Sequence, residues 1–357
     1  MKILYGVTGE GMGHAIRSKV VLDFLLREGH EVEIIASNRA ASFLAEHFSE
    51  VHKIHGLHIV AEENRVRKGK TLWSNVREGI KNLPKQIDAY FNIIEDFKPG
   101  AVISDFESFS YLYARTHDVP VFSIDNQQVL NRCEIPPEVL EGERRDFEIV
   151  KAFVKAKLPF CDHYFIATFF EPPIRKKRTT LHAPILRPSI LEATPTNGEH
   201  LLVYQTVGEN TPLIEALSKL DRDVHIYGMR RDSKEDQREG NLVYRPFGEQ
   251  SFIDDLASAH AVIASAGFTL MGECVFLGKP LLAVPLEGQF EQVFNARYLT
   301  HLGYGAEAET LNDEVVQSFM AQVPKFRETL VGFAHDANQS LFDALNARLD
   351  EAAAGLL

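Results

Sequence analysis

The stretch KILYGVTGEGMGHAIRSKVVLDFLLREGHEVEIIA, from Lys2 to Ala36, passes in succession through a strand, a glycine-rich loop, a helix and a second strand. Ile3 to Val7 is a short apolar run of the kind a buried strand makes. Ile16, Val20 and Phe24 recur at helical spacing until Gly29 stops the helix, and Glu31 to Ala36 returns as a strand. A strand–helix–strand unit of this kind implies a parallel sheet with helices over its faces.

The same alternation continues outward. Further strands are expected at Ala101–Ser104, Val119–Ile124 and His163–Ala167. Between Glu171 and Thr196 stand Pro172, Pro173, Pro184, Pro188 and Pro195, a density that a helix or central strand does not absorb, so this stretch is expected to be a linker. A second series follows at Leu201–Gln205, His225–Tyr227, Leu242–Tyr244, Ala261–Ala264 and Leu281–Val284. Ala337, Leu341, Leu345 and Leu349 form an i, i+4 row and predict a last amphipathic helix. A chain of 357 residues exceeds what one core usually supports. The expectation is an α/β protein of two Rossmann-like, doubly wound domains, residues 1–185 and 186–335. Residues 336–357 form a helix that packs back on the first.

Hydrophobic residues make up 45% and charged residues 25%, as in an ordinary globular protein. The net charge of -12 argues against a nucleic-acid partner, whose phosphates call for an excess of Lys and Arg. One segment runs the other way. From Asn64 to Lys85, Arg65, Arg67, Lys68, Lys70, Arg77, Lys81 and Lys85 surround Trp73 with Glu78 as the only acid, and this is either a solvated face or a contact for an anionic acceptor or membrane surface. Cys133, Cys161 and Cys274 are far apart, without zinc-ligand spacing, which points to a reducing, cytoplasmic setting. No stretch approaches the roughly 20 apolar residues of a membrane span.

Gly9, Gly11 and Gly13 lead to His14 at the carboxyl edge of the first strand, where open α/β sheets bind ligands. The dinucleotide fingerprint would need glycine where His14 stands and an acid where Ser37 and Asn38 stand, so a nicotinamide or flavin cofactor is not expected. His14 is a general base aimed at substrate, or a helix-start histidine exposed to solvent. Asp105, ending a strand at the same edge, either orients that imidazole or caps the following helix. Asp125-Asn-Gln-Gln128 is a further acceptor-side candidate.

In the second half, Ala264-Ser-Ala-Gly-Phe-Thr269 ends a strand and opens a helix, placing amides after Gly267 where a diphosphate would bind. Glu273 follows by one turn, then Gly278-Lys-Pro280, the strand Leu281–Val284, Pro285-Leu-Glu-Gly-Gln289-Phe-Glu291-Gln292 and Asn295-Ala296. This order resembles the donor site of GT-B glycosyltransferases, and is similar to UDP-glycosyltransferases and the peptidoglycan lipid-II N-acetylglucosaminyltransferase. The nearest likeness is to a little-described microbial group labelled teichoic-acid-biosynthesis-like.

The resemblance implies two domains facing across a cleft and transfer of a sugar from a nucleotide-diphosphate sugar, a UDP-sugar, to a hydroxyl acceptor. No metal and no bound cofactor is implied, the nucleotide sugar being a co-substrate. It places Gly267, Phe268 and Thr269 at the phosphates, Glu273 at the ribose, Phe247 at the base, Gln289, Glu291 and Gln292 at the sugar, and His14 as the catalytic histidine. Ser265 replaces the His of the usual His-x-Gly, and Glu291 replaces an Asp. Ser265 also stands where retaining enzymes carry a second glutamate, which favours inversion. Two other readings stay open: a nucleotide-sugar 2-epimerase of the same fold, and a nucleotide-sugar-binding protein without catalysis.

Overall fold

The computed structural model describes residues 1–9, 11–54, 94–205, 211–230 and 232–357; the basic segment from 64 to 85 lies outside them. By internal contacts the chain divides into two units. One comprises Met1–Ile135, Glu143–Ile185 and Asn338–Leu357, the other Pro136–Gly142 and Leu186–Ala337.

The first unit holds a seven-stranded sheet in the order β3-β2-β1-β4-β5-β6-β7. Its strands are β1 Lys2–Val7, β2 Glu31–Ser37, β3 Val51–Ile54, β4 Ala101–Asp105, β5 Val121–Asp125, β6 His163–Ala167 and β7 Thr179–His182. All pair in parallel. The central strands β4, β5 and β6 are buried along their whole length, which explains their unbroken apolar runs. Gly6 has a packing reason of its own, since a Cβ there would collide with Ser110 Oγ on the helix Ser108–Thr116. The C-terminal helix Gln339–Ala353 is part of this unit, with Phe342 stacked on Phe24 at 4.0 Å between ring centroids.

The second unit holds another seven-stranded sheet, ordered β10-β11-β9-β8-β12-β13-β14. The strands are β8 Leu201–Tyr204, β9 Val224–Tyr227, β10 Gln237–Glu239, β11 Leu242–Arg245, β12 Ala261–Ala264, β13 Leu281–Ala283 and β14 Gly305–Glu307. Only β10 runs antiparallel to its neighbour. On one face Leu201, Val203, Ile226 and Ile263 pack with Leu213, Leu217, Phe319 and Val323 from the helices Thr211–Ser218 and Asp313–Leu330.

The proline-dense stretch is more ordered than its composition predicts. It contains β7 and the short helix Pro188–Leu191. Its prolines flank β7 rather than interrupt it, and Pro188 occupies the first helical turn, where no amide hydrogen is needed. Among the described residues, no helix is long and apolar enough to cross a membrane.

Candidate active site

In the first sheet the strand order reverses between β1 and β4, the switch point where such sheets bind ligands. The register sets Val7 beside Asp105, and the Thr8 amide donates to the Asp105 carbonyl at 3.2 Å. The chain then enters the helix Met12–Arg27, whose N-cap Gly11 offers no side-chain acceptor. Gly9 packs against the end of β2: its amide donates to Ser37 Oγ at 2.9 Å, and a Cβ would collide with the Ser37 carbonyl. At Gly11 a Cβ would meet open space. Gly13 opens the same helix, one residue before His14.

This geometry turns His14 inward. It is 8% exposed, and its Nδ1 lies 2.8 Å from Asp105 Oδ1, so it is not a solvated helix-start residue. Asp105 does not cap the next helix. Glu107 does, accepting from the Phe109 and Ser110 amides at 2.7 and 2.6 Å. The fully buried Asp105 carboxylate instead receives Arg17 Nε at 2.8 Å, Arg17 Nη2 at 2.5 Å and Ser18 Oγ at 2.9 Å. Burial works to raise its pKa, but Arg17 and His14 outweigh that and hold the carboxyl well below the usual range.

Arg17 was not foreseen. Its spacing of three residues from His14 puts the two on one helix face, a signal the sequence did contain. A further arm, Nη1, donates to Asn126 Oδ1 at 2.7 Å, which accounts for Asn126 in the Asp125–Gln128 candidate. Asp125 itself is occupied locally, accepting from Ser123 Oγ at 2.6 Å and the Gln128 amide at 2.7 Å.

In the second sheet the order reverses between β8 and β12, and Gly267 follows β12 as N-cap of the helix Phe268–Phe276, again without a side-chain cap. Phe268 turns its ring into the core, so it offers a ligand only backbone, while Thr269 is half-buried. Glu273 is 2% exposed, and both its oxygens are taken: Arg187 Nε donates to Oε1 at 3.0 Å and Nη2 to Oε2 at 3.1 Å. Burial raises the Glu273 carboxyl's pKa and Arg187 opposes that. The third arm of Arg187 reaches Glu249 at 2.9 Å, at the start of the helix Glu249–Ser258. Phe247, just before that helix, is 66% exposed.

The motif after β13 has a structural task as well. Gln292 Oε1 accepts from the Leu286 amide at 3.0 Å and its Nε2 donates to Gln289 Oε1 at 2.6 Å, closing the loop between β13 and the helix Phe290–His301. Asn295 donates to the Ala266 carbonyl at 3.2 Å and ties that helix to the glycine loop. Gln289 is exposed and Glu291 half-buried.

His200, His225 and Asp255 bring three metal-type ligand atoms within 4.8 Å of one another. The imidazoles are stacked, with centroids 4.2 Å apart and planes 16° from parallel, so their in-plane lone pairs do not converge. Asp255 Oδ2 already accepts from Tyr227 at 2.6 Å and lies 3.3 Å from Arg245 Nε. The cluster anchors the helix Glu249–Ser258 to the sheet.

Two such sheets, each with its candidate ligand loop at a switch point, are the architecture of the GT-B fold. Residues 1–324 match the profile of glycosyl transferase family 1, and the chain belongs to that family. A relative from Methanosarcina mazei, described as an uncharacterized glycosyltransferase, is 26% identical over 335 residues, 85% of each chain. Phytolacca americana UGT2, solved with UDP-2-fluoro-glucose and pterostilbene, superposes with a TM-score of 0.66 at 15% identity over 99% of each chain. The spinosyn rhamnosyltransferase SpnG, solved with thymidine diphosphate, gives 0.62 at 15% identity over 97% of this chain and 100% of its own. The broader resemblance is borne out; the teichoic-acid-type label is not among what these matches name.

Proposed function

We propose that the chain moves a sugar from a UDP-sugar to a hydroxyl acceptor with inversion, His14 acting as general base. The observation that carries this reading is the buried His14–Asp105 contact at 2.8 Å. With Nδ1 directed at the carboxylate, Nε2 is the nitrogen left to receive the acceptor's proton. The deprotonated oxygen attacks the anomeric carbon as the bond to the diphosphate breaks. The leaving charge is met by the amides and dipole of the helix that begins after Gly267, with no metal needed for that task. Phe247 supplies a face for the base, and Gln289, Glu291 and Gln292 read the sugar. The solved relatives holding UDP-2-fluoro-glucose and thymidine diphosphate support a pyrimidine nucleoside diphosphate.

Thermal shift against a panel of nucleotide sugars, followed by the anomeric configuration of the product, tests the proposal. A UDP-sugar at 100 times its Kd adds about 2.7 kcal/mol, and the product carries the opposite anomeric configuration to the donor. Retained configuration would remove the single-displacement step, and a turnover that needs no acceptor would mean epimerisation.

Glu273 makes its own prediction. If its carboxylate receives the ribose hydroxyls while shared with Arg187, Glu273→Gln weakens donor affinity by about 10-fold or more, the scale of a lost hydrogen bond to a charged group. Calorimetric titration with the donor measures it. Unchanged affinity would leave Glu273 only as the partner of Arg187.

A further inference from the structure

We infer that one face of the first unit, formed by Lys155, the run Arg175–Arg178 and Phe160, docks on an anionic membrane surface, with the cations against the headgroups and the phenyl ring in the interface. In a chain of net charge -12, Arg175-Lys-Lys-Arg178 sets four cations in a row. The fold adds others to them. The Arg132 carbonyl accepts from the Arg175 amide at 2.9 Å, and Lys176 Nζ donates to Asn131 Oδ1 at 2.5 Å, so the run lies along the segment that carries Arg132. Burial first, then the like charges of Arg132, Arg175, Lys155 and Lys151, hold the Lys176 ammonium below its ordinary range. The helix Arg144–Lys157 therefore brings its own cations to the same neighbourhood.

Acids answer only part of this charge. Glu148 pairs with Lys151 at 3.1 Å and Asp162 with Arg178 at 3.7 Å. Among the described residues no carboxylate stands within ion-pair distance of Arg132, Lys155, Arg175, Lys176 or Lys177. Crowded like charges that the protein leaves unmatched favour an anion from outside.

Apolar side chains stand beside them. Phe160 is 77% exposed and Ile174, directly before the basic run, 47%. The turn that presents Phe160 is clamped: Tyr164 Oη donates to the Leu158 carbonyl at 2.7 Å and accepts from the Cys161 amide at 3.0 Å. Phe160 itself has a φ of 57°, a left-handed conformation that is costly for a residue with a side chain. The same Tyr164 ring carries the Arg132 guanidinium 3.6 Å from its centroid, and the Tyr164 amide donates to the Arg178 carbonyl at 2.9 Å. One tyrosine thus joins the Phe160 turn to the basic cluster. Phe160 and Arg178 precede β6 and β7, at the amino edge of the sheet, whereas His14 and Asp105 stand at its carboxyl edge, so this face is separate from the candidate site. Cations next to exposed apolar groups fit the boundary between headgroups and acyl chains, which accepts both. The phosphates of a nucleic acid would match the cations but offer no apolar phase to Phe160 and Ile174.

The test is co-sedimentation of the full chain with vesicles of phosphatidylcholine, alone or mixed with phosphatidylserine, at low and high salt. Binding is expected to the anionic vesicles and weakens as salt rises. In Lys155→Gln/Arg175→Gln/Lys177→Gln it falls by about 100-fold, at roughly fivefold for each cation near an anionic surface. Phe160→Asn suits the left-handed backbone and lowers binding by about fivefold at either salt concentration. All four side chains are exposed, so an unchanged melting midpoint in both variants is expected and shows that they remain folded. Absence of binding to anionic vesicles would overturn the inference, as would binding undiminished in the triple variant, which would move the contact elsewhere in the chain. Tighter binding to a DNA duplex than to the vesicles, unaffected by Phe160→Asn, would overturn it too and make this a nucleic-acid face.

Discussion

Replacing Asp105 by alanine lowers stability by about 3–5 kcal/mol, the range for removing one partner of a buried ion pair. The loss is large because Asp105 answers several donors at once. Arg17 Nε and Nη2, Ser18 Oγ and the contact with His14 all converge on it, and neither Asp105 nor Arg17 reaches solvent appreciably. Without the carboxylate, the Arg17 guanidinium is a buried charge that has lost its carboxylate counter-ion, while the neutral Asn126 side chain still accepts from Nη1. Asp105→Asn keeps the volume and still leaves that charge uncompensated, so it also destabilises, by less than alanine. Denaturant titration should show a lower midpoint at unchanged slope. A midpoint for Asp105→Ala equal to that of the unaltered protein would mean that Arg17 finds another counter-ion and that the cluster is not the unit described.

Transfer activity in Asp105→Asn should fall as well, because the imidazole exchanges the carboxylate beside Nδ1 for a neutral amide with one acceptor oxygen instead of two. The two losses are separable by assaying at a temperature where the variant is fully folded. Full activity there would remove Asp105 from the mechanism and leave it a structural role.

How much of this was legible follows from what each residue does in the fold. β4, β5 and β6 are buried on both faces, so they write continuous apolar runs that mark a parallel sheet. β10 and β14 are three residues long at the sheet edges, and β10 is exposed throughout, so neither leaves an apolar run to read. His14 and Asp105 could be nominated because each stands where a strand of the first sheet ends. What brings them together, across 91 positions of sequence, is the β1–β4 register, which no local pattern encodes.

The partners of the named residues were harder. An arginine one turn into a helix is ordinarily solvated, and it is the meeting with Asp105 and Asn126, at the ends of β4 and β5, that accompanies the burial of Arg17. Glu273 lies in the apolar helix FTLMGECVF, so a cation for it was required on physical grounds. Its identity, Arg187, lies 86 positions away in a stretch whose prolines pointed to a linker. Gln292 shows the reverse case: a residue singled out for a ligand also holds the loop beneath it, through the Leu286 amide.

His14→Ala, assayed for donor binding and for turnover on the same preparation, bears on the base assignment most directly. Arg17 still matches the Asp105 charge in this variant, so the first unit stays folded and a loss of activity reports on chemistry. Donor affinity by calorimetry should equal that of the unaltered protein, while transfer to a hydroxyl acceptor falls by about 100-fold or more, the scale for loss of a general base. Donor affinity lost in parallel with turnover would place His14 in donor binding, and turnover retained would show that another group takes the acceptor's proton.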